Sequence, residues 1–144
     1  MDLIDLHDTI VRDALADCDG REVKHMGDGM LASFVSAAGA IRCATRVERD
    51  LAKYRQGHPD CPLQLRIGIA SGEPVEHHSD LFGSTVQLAA RLCSCARAEQ
   101  ILVSNVVAEL CIGKKIRFQD LGFLDLKGFD RPVRVHAVEW SDQI

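Results

Sequence analysis

Two hydrophobic periods take turns along this chain. Leu3, Leu6, Ile10, Val11, Ala14 and Leu15 recur at three- and four-residue spacing, which predicts a helix over Leu3 to Leu15, and Asp19-Gly20 ends it. Glu22 to Met26 and Met30 to Phe34 then read as the two strands of a hairpin around Gly27-Asp28-Gly29. Ser36 suits the N-cap of a second helix reaching about Arg55, with Ala40, Ala44, Val47, Leu51 and Tyr54 on its buried face, and Gly57-His58-Pro59 closes it. Leu63, Leu65, Ile67 and Ile69 alternate with Gln64, Arg66 and Gly68, the mark of a strand with one packed face over Leu63 to Ile69. Ser71-Gly72 interrupts, Pro74-Val75-Glu76 resumes as a short extended piece, and His77-His78-Ser79-Asp80 is expected to turn. A third helix follows over Ser84 to Ala96, then an apolar strand at Ile101-Leu102-Val103 and a short helix capped by Ser104 and ending at Leu110. Ile116 to Leu126 and Val133 to Trp140 supply the closing strands.

Helices alternate with strands, yet two strands form a local hairpin. That combination predicts an α+β sandwich with an antiparallel or mixed sheet and helices packed on one face, ahead of a purely parallel doubly wound sheet. The 144 residues hold no internal repeat, low-complexity tract or linker and fit one domain, 1–144.

Composition narrows the function classes. Hydrophobic residues make up 47% and charged residues 26%, the proportions of an ordinary soluble protein. A net charge of -4 argues against general nucleic-acid binding, which needs a basic face, but leaves room for a local basic pocket. Cys18, Cys43, Cys61, Cys93, Cys95 and Cys111 form no CxxC pair and no zinc-finger spacing, so free thiols in a reducing cytoplasm are expected. No stretch approaches the ~18 apolar residues of a membrane span, so this segment is expected to make no membrane contact, whether or not its parent protein is tethered.

Three groups of residues are candidates for chemistry. Gly27 and Gly29 free the backbone on either side of Asp28, so the tip either forms an ordinary type I′ turn or presents a carboxylate oxygen to a hard cation such as Mg²⁺. Gln87 and Arg91, four apart, share a face of the third helix, and Asp80 leads into that helix through Phe82-Gly83. An amide, a guanidinium and a carboxylate at one end of one element suit a purine edge, a ribose and a phosphate; a solvated helix face with a structural arginine is the alternative. Lys127-Gly128, between two late strands, either offers a point charge to a polyphosphate or is a plain surface lysine.

Taken together these residues resemble the catalytic domain of the class III adenylyl and guanylyl cyclases. The likeness runs in order through residues 23–34, 66–75, 80–92, 100–104 and 126–128 and covers nearly the whole chain. It implies a ferredoxin-like core that dimerises head to tail, as a homodimer or with a related cyclase domain. It also implies conversion of ATP to cyclic AMP and pyrophosphate with two Mg²⁺ or Mn²⁺ ions. Carried over by position, Asp28 matches a metal-binding aspartate, and Lys24 and Asp80 match the pair that reads adenine. Arg91 matches the arginine that stabilises the α-phosphate in the transition state, and Lys127 the lysine that holds the outer phosphates. Gln87 stands where the family usually has an asparagine that positions the ribose; glutamine keeps the amide and adds a methylene. The family's opening strand, with its own metal aspartate, is expected ahead of the helix at Leu3, and Asp2, Asp5 and Asp8 do not stand in its place. With only one metal ligand matched, reduced turnover by this short form is expected. The competing reading is a non-catalytic cyclase-homology module that binds a nucleotide or a partner domain.

Overall fold

The computed structural model describes residues 2–27 and 29–141. The chain divides into two compact units, Met1–Leu65 and Arg66–Ile144.

In the first unit, α1 (Leu3–Asp17) starts at Asp2, whose Oδ1 accepts from the Ile4 amide at 3.1 Å. Leu6, Ile10, Ala14 and Leu15 are buried, whereas Leu3, expected on the same stripe, is exposed at the free end of the helix. β1 (Arg21–Met26) and β2 (Gly29–Ser33) pair antiparallel as the sequence predicts, closing with Met26 opposite Gly29. The register shifts between Glu22 and Lys24, so Val23 is an extra residue on β1, a bulge. α2 (Ala37–Gly57) begins where expected: Ser36 Oγ accepts from the Gly39 amide at 3.0 Å. Ala40, Ala44, Val47 and Leu51 are buried along it, and α1 packs against α2.

The second unit is built on a four-stranded mixed sheet. Its strands are β3 (Ile67–Ile69), β6 (Ile101–Ser104), β7 (Phe118–Leu124) and β8 (Val133–Val138), in spatial order β3-β6-β8-β7. β3 and β6 run parallel, and β6–β8 and β7–β8 run antiparallel. The mixture of helices and antiparallel and parallel pairing is the expected α+β class. β3 is shorter than the expected Leu63 to Ile69. Leu65 is buried and Arg66 exposed, so the alternation is real, but only Ile67 to Ile69 enter a ladder: the pattern reports burial, not pairing. β7 also starts and stops inside its expected span, and a register shift between Asp120 and Phe123 bends it.

A second hairpin was not expected. β4 (Val75–His77) and β5 (Asp80–Phe82) pair antiparallel, so Asp80 opens a strand and does not belong to the turn. His78 and Ser79 alone make the turn, at φ 51° and 64°, the left-handed pair that a two-residue hairpin loop requires. Such turns are usually recognised by Asn and Gly, which are absent here.

α3 (Ser84–Cys95) lies on β3 and β6. Gly68 makes that contact possible: a Cβ added there would stand 2.4 Å from the Ala89 carbonyl oxygen and 2.4 Å from the Cys93 amide nitrogen. α4 (Asn105–Leu110) follows β6 directly, capped by Ser104 Oγ, as expected. A core of Leu92, Ala96, Leu102, Leu126, Val135 and Ala137, with Leu88 and Phe129 against it, joins α3, the sheet and the β7–β8 connection.

Candidate functional site

Asp28, the expected metal ligand, lies outside the described residues. Gly27, just before it, sits at φ 62°, and Gly29 opens β2. Among the described residues no cluster of three or more His, Cys, Asp or Glu side chains is placed to hold a metal ion. The residues described thus do not by themselves make a metal site.

Lys24 is half-buried on β1, opposite Leu31. Its strand is tied to α1 by a charged network that sequence spacing did not reveal. Arg12 donates from Nε and Nη2 to the two oxygens of Glu22, at 2.8 and 3.0 Å. Asp8 Oδ1 accepts from His7 Nδ1 at 2.9 Å and from His25 Nε2 at 3.1 Å, and its Oδ2 lies 4.0 Å from Arg12. The hydrogen bond from His7 does most to hold the Asp8 carboxyl below its ordinary range, with His25 adding to it against the opposing effect of partial burial. Glu22 is likewise lowered, chiefly by its hydrogen bonds from Arg12. The one signal available in sequence was the four-residue spacing of Asp8 and Arg12.

In the second unit, Asp80 stands on β5, Gln87 and Arg91 on α3, and Lys127 in the turn after β7. Asp80 is half-buried at the start of β5, where its Oδ1 accepts from the Leu81 amide at 2.7 Å. β5 packs against α3, entered through Gly83. Gln87 is exposed and Arg91 half-buried, one helical turn apart as the spacing predicts. Lys127 is exposed in a turn that the Phe129 amide closes on the Leu126 carbonyl at 3.1 Å. Gly128 takes φ 89° there, which a side chain would strain. Leu126 and Phe129, flanking the lysine, share a core with Leu88 and Leu92, the residues that follow Gln87 and Arg91. The lysine turn is therefore pinned to the same helix as the amide and the guanidinium.

Chemically, these four residues offer one carboxylate acceptor, one neutral amide and two cations of different shape. The guanidinium suits a phosphate in two-point contact and the ammonium a more distant one.

The family model described as the adenylate and guanylate cyclase catalytic domain matches residues 1–139. A Rhizobium meliloti protein provisionally named adenylate cyclase 3 is 36% identical over 124 residues, covering 85% of this chain and 21% of the relative. An adenylate cyclase of Streptomyces coelicolor is 34% identical over 108 residues, 75% of this chain and 27% of the relative. The chain thus spans between 21% and 27% of the length of these two relatives. A crystal structure described as an adenylate/guanylate cyclase/hydrolase from Silicibacter pomeroyi superposes with a TM-score of 0.81 at 35% identity, covering 89% of this chain and 77% of the other.

Proposed function

Because the chain belongs to the adenylate and guanylate cyclase catalytic domain family, we propose that its 144 residues act as one nucleotide cyclase domain. Within its parent protein this domain converts ATP to cyclic AMP and pyrophosphate. The observation that carries the reading is the α3 edge of the second unit. There Gln87 and Arg91 stand one turn apart, Asp80 opens the strand packed on the same helix, and the Lys127 turn rests on the core beneath it.

In this reading the ribose 3′ oxygen bonds to the α-phosphorus. The bond from that phosphorus to the oxygen bridging the β-phosphate breaks, and the hydroxyl proton passes to solvent. Arg91 stabilises charge as it builds on the α-phosphate, Gln87 holds the ribose through its amide, and Lys127 holds the outer phosphates. Lys24 donates to adenine N1 and Asp80 accepts from the 6-amino group; guanine presents the reverse pattern and is disfavoured. Mg²⁺ or Mn²⁺ enters the proposal only through Asp28, a hard oxygen ligand. A second copy of the chain, or a related cyclase domain, completes the site head to tail. No helix among the described residues is long and apolar enough to cross a membrane, and we place this segment on the cytoplasmic side.

The test is cyclic AMP formation by the parent protein supplied with ATP and Mg²⁺ or Mn²⁺. Arg91→Ala is expected to lower the rate on the order of a hundredfold or more, the usual cost of losing one transition-state donor. A folded, dimeric protein that binds ATP and forms no cyclic AMP would overturn catalysis and leave the nucleotide-binding module.

A further inference from the structure

We infer that Asp8 and His25 are positioning residues for base selection, acting through the strand that carries Lys24. The inference rests on the reading of Lys24 as a base-reading residue. Successive side chains of a regular strand point to opposite faces, so Glu22 and His25, three apart, would face opposite ways. In this structure both reach α1: Glu22 meets Arg12, and His25 meets Asp8. The extra residue at Val23 is what reconciles them, because a bulge shifts the alternation by one place. Lys24, the neighbour of His25 beyond the bulge, is thereby turned to the face away from α1.

The two contacts together set the phase of β1. Asp8 and Arg12 are one helical turn apart, and they meet strand residues in reverse order, 25 and 22, so α1 and β1 run antiparallel with two fixed rungs. With either rung alone, β1 could close its bulge and slide by one residue. Such a slip sends a side chain to the other face, and Lys24 would then point at the helix. The inner rung is the stronger constraint. The Asp8 side chain is 15% exposed and that of His7 12%, so the shared carboxylate is sheltered, while Arg12 at 52% closes the outside. His7 holds Asp8 from its own helix, and Asp8 in turn holds His25.

The experiment compares the affinities of the parent protein for ATP and for GTP by titration calorimetry, in the wild type and in Lys24→Ala, Asp8→Ala, His25→Ala and His25→Gln. Lys24→Ala is expected to reduce the ATP-over-GTP preference about tenfold, the worth of one lost hydrogen bond to a base. Asp8→Ala and His25→Ala should reproduce most of that loss, and neither should reduce it further when combined with Lys24→Ala. His25→Gln keeps a nitrogen donor near the Nε2 position and should restore the preference, which general destabilisation would not do. A lowered preference in Lys24→Ala but an unchanged one in folded Asp8→Ala and His25→Ala would overturn the inference. Should Asp8→Ala not fold, the His25 pair decides alone. An unchanged preference in Lys24→Ala, or no binding of either nucleotide by the wild type, defeats the base-reading assignment and the inference with it.

Discussion

β1–β2 and β4–β5 are both antiparallel ribbons, and each carries one half of the proposed base-reading pair, Lys24 on the first and Asp80 on the second. A two-stranded ribbon is marginal by itself, so each needs a device to fix it. The first uses side chains: a bulge at Val23 and the Asp8–His25 and Arg12–Glu22 contacts to α1. The second uses backbone: strands of three residues, a left-handed turn at His78 and Ser79, and Asp80 folded onto the Leu81 amide. The direction of Lys24 is tied to the Asp8–His25 contact, whose partners lie 17 positions apart, whereas Asp80 accepts from the residue next to it. Substitutions far from the site should move the first and spare the second.

The largest asymmetry is expected from Gly68→Ala. Its Cβ would press on backbone atoms of α3, and forcing extra volume into such a contact costs about 1–3 kcal/mol. Hydrogen exchange should quicken through α3 and β5 and stay unchanged through β1 and β2; equal effects on both ribbons would break the comparison. Next comes Ser79→Gly, which relieves a left-handed residue worth about 1 kcal/mol. It should slow exchange at the β4–β5 amides and leave β1–β2 as it was.

Acid separates side-chain clamps from backbone turns. Asp8 is held below the ordinary 3.8, so its contribution to stability is full above that pH and is lost only as pH falls through the lowered value. Its carboxyl resonance should titrate below 3.8, and His7→Ala should move the midpoint up. Asp120 on β7 gives a reference: the hydrogen bond from Arg134, then that from the Gly122 amide, pulls it to about 2. Arg134→Ala should return it toward 3.8. The smallest effect is expected from a double-mutant cycle on Arg12 and Glu22. That pair is solvent-accessible, and its coupling should fade at high salt.

What the sequence disclosed was local. Ser36 and Ser104 cap helices where their spacing places them, and Gln87 and Arg91 share a face because four residues make about a turn. What it hid depends on partners distant along the chain or on residue types that give no warning. Asp80 looked like part of a turn because His78 and Ser79 are not the residues that advertise left-handed φ. The Asp8 network joins residues 10 and 17 apart, and no periodicity encodes such a meeting. Leu63 and Leu65 carry a strand's pattern ahead of the ladder, which begins at Ile67.

The bare backbone at Gly68 has a mechanical consequence. With the strand seated directly on the Ala89 carbonyl and the Cys93 amide, α3 has no cushion of side chain at that point on which to roll or slide. Gln87 and Arg91 bracket Ala89 and lie within one turn of the seat, so any motion that carries one carries the other and drags β3 along. Opening and closing around a ligand would then move the amide and guanidinium as a single jaw of fixed gauge, with the adjustment left to the hairpin ahead of the helix and the lysine turn behind it.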